Sequence, residues 1–308
     1  MKSICEKIKE KGVLVSDGAW GTLLMAQGLK AGECPELWNV EHPDAVRSIA
    51  ERYVESGSDI VTTNSFGGSR IKLAAFGLES RMAEINRAAA RLSREAAGDG
   101  VNVAASIGPT GKILMMGDIS EEELADVFGA QARALEEGGA DACIIETFSA
   151  IDEAVVAVKA VKACTSLEII CSFTYDSCAG ETYYTMMGAS PADMAMALLD
   201  AGADILGTNC SQGSEPMIGV VQALRAAAPD TPILVHPNAG LPVLTADGES
   251  YPETPDFMSG CVPVMIAAGA NIIGGCCGTS PAHIRAIREA IARHDLAARC
   301  NYPVEEQS

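Results

Sequence analysis

The sequence predicts a (β/α)8 barrel, and three observations carry that prediction. Eight short segments rich in Val, Ile and Thr recur along 308 residues. Amphipathic stretches with helix start signals separate them, and a weak internal repeat joins the end of one helix to the next strand. The segments are VLVSDGA from Val13, DIVTTNSF from Asp59, VNVAASIG from Val101, DACIIETF from Asp141, EIICSFTY from Glu168, DILGTNCS from Asp204, PILVHPNAG from Pro232 and NIIGGCCG from Asn271. Most run continuously apolar before turning polar, the pattern of parallel strands buried on both faces.

The intervening helices announce themselves. SEEELADVFGAQARALEEGG places Ser120 at the N-cap with Glu123 three residues on, a capping box. SPADMAMALLDAG and SPAHIRAIREAIARH each put Ser at the cap and Pro at the first helical position. The repeat reads ESGSDIV, EGGADACI, DAGADIL and AAGANII: a glycine ends the helix and the next strand follows at once. Eight such units with right-handed crossovers favour a closed barrel over a doubly wound open sheet. One domain spans 1–308, with a core of about 10–293 and a loose tail at 300–308.

Composition narrows the function. The net charge is −19, from 41 acids against 22 bases, so the basic footprint of a nucleic-acid reader is missing. The N-terminal MKSICEKIKEKG is charged where a signal peptide would be apolar, and no apolar run is long enough to span a membrane. The expectation is a cytoplasmic protein. Eleven cysteines without a secretory signal argue against a disulfide framework and for metal or thiol chemistry.

In such barrels the active site lies at the C-terminal ends of the strands. Those ends carry Asp17 in SDGAWGT, Asn64 in TTNSFGG, GPTGK with Lys112, Glu146 in ETF, Cys210 in GTNC, His236 and Asn238 in HPNAG, and the adjacent pair Cys276 and Cys277 in GGCCGTSPAHI. Neighbouring strand residues point to opposite faces, so both cysteines reach one centre only if the pleat has broken. The flanking glycines permit that, through φ > 0 or close backbone approach. Cys210 would then complete a three-thiolate site with one open position, the pattern of a catalytic zinc.

Plainer readings stand beside these. The CysCys pair also fits a vicinal disulfide or two inert thiols. Cys143, Cys171 and Cys261 read as small buried apolar residues. His236, beside proline, reads as a hydrogen-bonding neighbour rather than a ligand. Asp17 and Glu146 are equally compatible with holding loop backbone. The loops GKILMMGD and GETYYTMMGA read as lids or packing. Lys112 lies beyond a turn, which argues against a Schiff-base aldolase.

In this order and spacing DGAWGT, GPTGK, ETF, GTNC, PNAG and GGCCGTSPAHI resemble the zinc-dependent homocysteine S-methyltransferase family. Within it, MGDIS after GPTGK and YPETP after PNAGLP point to the homocysteine-binding barrel of cobalamin-dependent methionine synthases. The resemblance implies that Cys210, Cys276 and Cys277 bind zinc and that homocysteine sulfur takes the fourth position. It implies that Asp17 and Glu146 receive the substrate ammonium, that backbone N–H groups near Gly18 hold its carboxylate, and that Asn238 is an oxygen ligand when substrate is absent. Asn64 belongs to the expected substrate pocket. One departure is Gly18-Ala19 where the family has two glycines, followed by Trp20, whose indole would narrow the pocket.

The chemistry suits these residues. Three thiolates donate charge to the metal and keep a fourth sulfur nucleophilic, whereas a hydrolase acidifies water and usually recruits histidines. The implied activity is methylation of homocysteine to methionine. None of the four histidines lies two residues after an Asp, so the D-x-H-x-x-G corrinoid-binding motif is missing. The implied donor is therefore a methyl-corrinoid on a separate protein. The alternatives are a small donor such as S-methylmethionine or a betaine, another thiol acceptor, or a non-catalytic redox or thiol-binding barrel with a Cys276–Cys277 disulfide.

Overall fold

The computed structural model describes residues 1–180, 182–245 and 248–300, so all but the first residue of the expected tail lies outside the described residues. Eight parallel strands form the central sheet: β1 (Leu14–Val15), β2 (Ile60–Thr62), β3 (Asn102–Ile107), β4 (Ala142–Phe148), β5 (Glu168–Phe173), β6 (Ile205–Asn209), β7 (Ile233–His236) and β8 (Ile272–Ile273). β8 pairs back onto β1, with Leu14 opposite Ile272, and a single bridge from Ser16 to Ile60 joins β1 to β2. The sheet is thereby an α/β barrel, nearly closed, with a helix after each strand. Those helices are Pro43–Glu55, Met82–Ala97, Glu121–Glu137, Ile151–Cys164, Pro191–Ala201, Ser214–Ala227, Pro255–Ala268 and Pro281–Cys300.

The helix starts follow the sequence with one correction. Ser120 accepts the N–H of Glu123 at 3.1 Å, but the Glu123 carboxylate does not return to the cap, so only half of the capping box forms. The reciprocal pair forms instead at Ser190 and Asp193. At the last helix, His283 Nδ1 receives the Ser280 N–H at 3.2 Å, and the helix runs six residues past His294 to Cys300.

The internal repeat has a physical meaning that its glycines only half reveal. Gly57, Gly139, Gly202 and Gly269 all have φ between 93° and 110°, which turns each helix end back toward the barrel. The residue that opens the following strand is then Asp59, Asp141, Asp204 or Asn271. Each donates its N–H to a carbonyl on the preceding strand, and its side chain accepts the N–H of that same residue. The side-chain bonds are Val15 to Asp59 at 3.0 Å, Val103 to Asp141 at 2.8 Å, Ile169 to Asp204 at 2.8 Å and Ile233 to Asn271 at 3.1 Å. Four side-chain latches thus tie β1 to β2, β3 to β4, β5 to β6 and β7 to β8, all at the N-terminal end of the barrel.

Alternation along the strands sorts the interior. Leu14, Ile60, Ala104, Ile144, Ile170, Ile205, Leu234 and Ile272, one from each strand, form a single buried cluster. Ile4 and Ile8 of an N-terminal helix, Ile4–Lys11, join that cluster and plug the bottom of the barrel ahead of the predicted core. The helix is held by the Glu168 carboxylate, which accepts the N–H groups of Ile4 and Cys5 at 2.6 and 3.0 Å. The intervening residues, Val15, Val61, Val103, Cys143, Cys171 and Val235, belong to a second cluster with the surrounding helices. No described helix is long and apolar enough to cross a membrane.

Candidate active site

Two residues further along each strand the inward positions change character. Above the apolar layer stand Ser16, Thr62, Ser106, Glu146, Ser172, Gly207, His236 and Gly274, all polar or glycine, because the same two-residue alternation that buries Ile60 or Ile144 aims them inward. Of these, Thr62, Ser106, Glu146 and His236 line a cavity of about 410 Å³ at the C-terminal end of the barrel. Its wall includes Asp17, Gly18, Trp20, Asn64, Glu146, Cys210, Cys276 and Cys277. Such a volume lies within the range of small-molecule sites, roughly 300–1,000 Å³.

The three cysteines meet. Their sulfurs lie within 4.8 Å of one another, and Cys210 and Cys277 are 3.9 Å apart. Tetrahedral zinc with bonds of about 2.3 Å would set its sulfurs about 3.8 Å apart, so the donor set fits such an ion. No other described group of His, Cys, Asp or Glu converges in this way. All three are free thiols and partly exposed toward the cavity. Hydrogen bonds from Cys276 and Cys277 hold the Cys210 thiol down at about 3, while sharing with that thiolate pushes Cys277 up to about 11 and also raises Cys276 well above the ordinary thiol value.

The pleat breaks as expected. β8 stops at Ile273, and the chain leaves the ladder with Gly275 N–H on Asp17 O at 2.9 Å and Cys276 N–H on Pro237 O at 2.7 Å. Of the flanking glycines only Gly278 has positive φ, at 79°. Gly274 and Gly275 serve close approach, since a Cβ there would lie 2.7 Å from Asp17 O and 2.6 Å from Thr279. The left-handed residues on the opposite side are Cys210 and Ser211, at φ 60° and 55°. Neither is glycine, so the turn that presents Cys210 stores strain of about 1–3 kcal/mol per residue.

The carboxylates face the same cavity. Asp17 is 1% exposed; its Oδ2 accepts Thr62 N–H at 2.7 Å, Thr62 Oγ1–H at 2.9 Å and Trp20 Nε1–H at 3.0 Å. Burial outweighs those donors and lifts its carboxyl to about 6. Glu146 accepts Ser106 Oγ–H at 2.5 Å, and burial, with lesser contributions from Asp17 and Cys210, lifts it to about 7. No described cation pairs with either.

Glu146 owes its position to residues the sequence reading passed over. The β4–β5 register slips between Ile145 and Phe148, and Thr147 takes φ 64°. Asn209, wholly buried, clamps that bulge: its Oδ1 accepts Thr147 N–H at 2.9 Å and Ser172 Oγ–H at 2.7 Å, and its Nδ2 donates to Thr147 Oγ1 at 2.7 Å. Thr279 is a second such residue. It accepts Ala19 N–H at 3.0 Å and donates to Cys276 O at 2.7 Å, stapling the Asp17 loop to the cysteine loop. A Cβ on Gly18 would sit 2.5 Å from Thr279 Oγ1, so this contact requires glycine. The signals were the Asn before Cys210 and the Thr after Gly278.

Other expected residues fall as follows. Asn238 lies behind the sulfurs; its Oδ1 accepts Cys277 N–H at 3.1 Å and its side chain bonds Cys210. Asn64 lines the cavity while its Nδ2 donates to Pro35 O at 2.8 Å and Asn39 Oδ1 at 3.0 Å. His236 sits outside the sulfur cluster. Its Nε2 is buried without a hydrogen-bond partner, contrary to the expected bonding neighbour, and burial holds the ring neutral, down to about 3. Cys143, Cys171 and Cys261 are buried as expected. The methionine loops do not pack down: Met115, Met116 and Met186 are 83%, 75% and 80% exposed on loops that follow β3 and β5.

The barrel mouth thus joins three converging thiols to two carboxylates without a described cationic partner, a donor set suited to thiol chemistry. Comparison with known proteins narrows this. The family model described as homocysteine S-methyltransferase matches residues 14–291, and the chain belongs to that family. It is 32% identical over 299 residues to the methionine synthase of Mycobacterium tuberculosis and 32% over 300 residues to that of Mycobacterium leprae. Each alignment covers 91% of this chain but only 25% and 24% of the relative, so the chain spans about a quarter of those proteins. Among solved structures, the metallated form of the homocysteine methyltransferase MmuM from Escherichia coli superposes with a TM-score of 0.77 at 25% identity, covering 92% of this chain and 98% of that one.

Proposed function

We propose that this chain is a zinc-dependent S-methyltransferase that converts homocysteine to methionine. The observation that carries the reading is one cavity whose wall brings together three converging sulfurs and two carboxylates without a described cationic partner, the groups that an amino-acid thiol calls for. When bound, zinc supplies a Lewis acid that deprotonates the substrate thiol near neutral pH. Cys210, Cys276 and Cys277 hold it and, as thiolates, leave the fourth sulfur electron-rich. Asp17 and Glu146 receive the ammonium, each gaining the partner that burial denies it in the free protein. Ala19 N–H is taken by Thr279, so the substrate carboxylate falls to other N–H groups near Gly18. Asn238 can serve as an oxygen ligand only by sharing Oδ1 with Cys277 N–H, which a carbonyl with two lone pairs allows. In the transfer the methyl group leaves its donor without the bonding pair, sulfur supplies the new pair, and the thiol proton is released.

The donor on this reading is a methyl-corrinoid carried by a separate cytoplasmic protein. One observation supports it: the exposed Met115, Met116, Met186 and Leu244 on rim loops. The second reading keeps the same zinc chemistry with a small donor such as S-methylmethionine or a betaine. Zinc-loaded protein incubated with homocysteine and either methylcobalamin or S-methylmethionine separates the two. Methionine formed readily from S-methylmethionine, and none from any methyl-corrinoid, overturns the corrinoid reading. Protein that retains no zinc under reducing conditions overturns both.

A further inference from the structure

Trp20 is the part of SDGAWGT that methyl transfer leaves unexplained. Its indole Nε1–H reaches Thr62 Oγ1 at 2.7 Å and Asp17 Oδ2 at 3.0 Å. Thr62 donates to that same carboxylate oxygen twice, from its backbone N–H at 2.7 Å and its hydroxyl at 2.9 Å. A carboxylate oxygen offers two lone-pair sites, so three donors saturate Oδ2. Among the described residues Oδ1 receives only Ser16 Oγ–H, at 3.3 Å. The indole also lines the cavity that Asp17, Glu146 and the three cysteines share.

We infer that Trp20 is a positioning residue that makes the pocket selective for thiols bearing an amino group. It fixes the Asp17 carboxylate so that Oδ1 alone is left to meet an incoming ammonium. The inference rests on the homocysteine reading above. Asp17 can rotate about its last side-chain bond, and an unpinned carboxylate would offer the ammonium several geometries of similar energy. The indole and Thr62 remove that freedom before the ligand arrives, which is where preorganised sites gain affinity. Because Trp20 acts through Asp17, ligands without an amino group do not feel its loss. A phenylalanine keeps most of the aromatic wall and drops the N–H, which separates the two roles of the side chain.

The test is calorimetric binding to zinc-loaded protein of two ligands, homocysteine and 4-mercaptobutanoate. The second keeps the thiol, the chain length and the carboxylate and lacks only the amine. Trp20→Phe should bind homocysteine about tenfold more weakly than the parent, as loss of one hydrogen bond to a charged group implies, with the amine-free thiol changed by less than about twofold. Thr62→Val should repeat the pattern, and it carries the test where Trp20→Phe fails to fold. Zinc content and circular dichroism check both variants. Equal weakening of both ligands would make Trp20 a wall and overturn the inference, as would no weakening of either. A parent that binds homocysteine no better than 4-mercaptobutanoate removes the ammonium role of Asp17, and Trp20's with it. A parent that binds neither strikes the homocysteine reading itself, a result distinguishable from the others.

Discussion

Lowering the pH from about 8 to about 5.5 should weaken homocysteine binding roughly a hundredfold more than it weakens binding of the amine-free thiol. The magnitude comes from the two buried carboxyls, Asp17 at about 6 and Glu146 at about 7. On the proposed reading the ionised forms receive the ammonium. Near pH 8 almost every molecule presents both, whereas near pH 5.5 about one in a hundred does. Protons held by the free site must therefore leave as the ligand enters, and affinity falls as pH falls. The sign for folding is the reverse: a raised carboxyl favours the folded chain at low pH, and that contribution is lost as pH rises through 6 to 7. Titrating both ligands in the calorimeter at each pH isolates the effect, because the thiol and metal contributions cancel in the ratio. A ratio that stays within about threefold across the range would mean that these carboxyls do not meet the ammonium.

Three other outcomes test separate parts of the structure. Cys277→Ala should lose retained zinc and activity while circular dichroism stays that of the parent, because the thiols sit at the rim and not in the core; loss of helical signal would make the metal structural. Asn209→Ala should destabilise the chain by about 2–4 kcal/mol in denaturant, since it leaves Thr147 N–H and Ser172 Oγ buried without their acceptor, and should also weaken homocysteine binding by letting Glu146 shift. Unchanged affinity in that variant would detach the bulge from the site. Asp204→Ala should lower stability by about 1–2 kcal/mol through loss of its latch on Ile169 with homocysteine affinity unchanged; altered affinity would mean that the bottom of the barrel is coupled to its mouth.

Much of this was legible in the chain. Strand order, helix placement and the meeting of Cys210 with Cys276 and Cys277 follow from period, capping residues and the rule that barrel chemistry sits at strand ends. The local geometry was less accessible, for physical reasons. Thr147, Cys210 and Ser211 adopt left-handed backbone without being glycine, so nothing in their identity announces the turns that aim Glu146 and the first thiol. Asn209 looks like any polar residue at a strand end until the bulge it clamps is seen. The Asp or Asn at the head of each repeat reads as the start of a strand, and its bond to the strand before it depends on register. Trp20 was recognisable as a departure, but its hydrogen bond to Asp17 was not, because Thr62, which completes that network, lies 42 residues away.

The four latches divide the barrel into paired strands, and the site is divided along the same lines. Asp17 and Glu146 come from the first two pairs, and Cys210, Cys276 and Cys277 from the last two. An amino-acid thiol held as proposed would have its nitrogen in one half-barrel and its sulfur in the other, spanning the opening like a tie-rod. Binding would then resist any motion that parts the halves at the mouth, along the β4–β5 and β8–β1 seams. Two half-length fragments, each keeping its own latches, would have in the substrate a reason to reassociate that neither half contains alone.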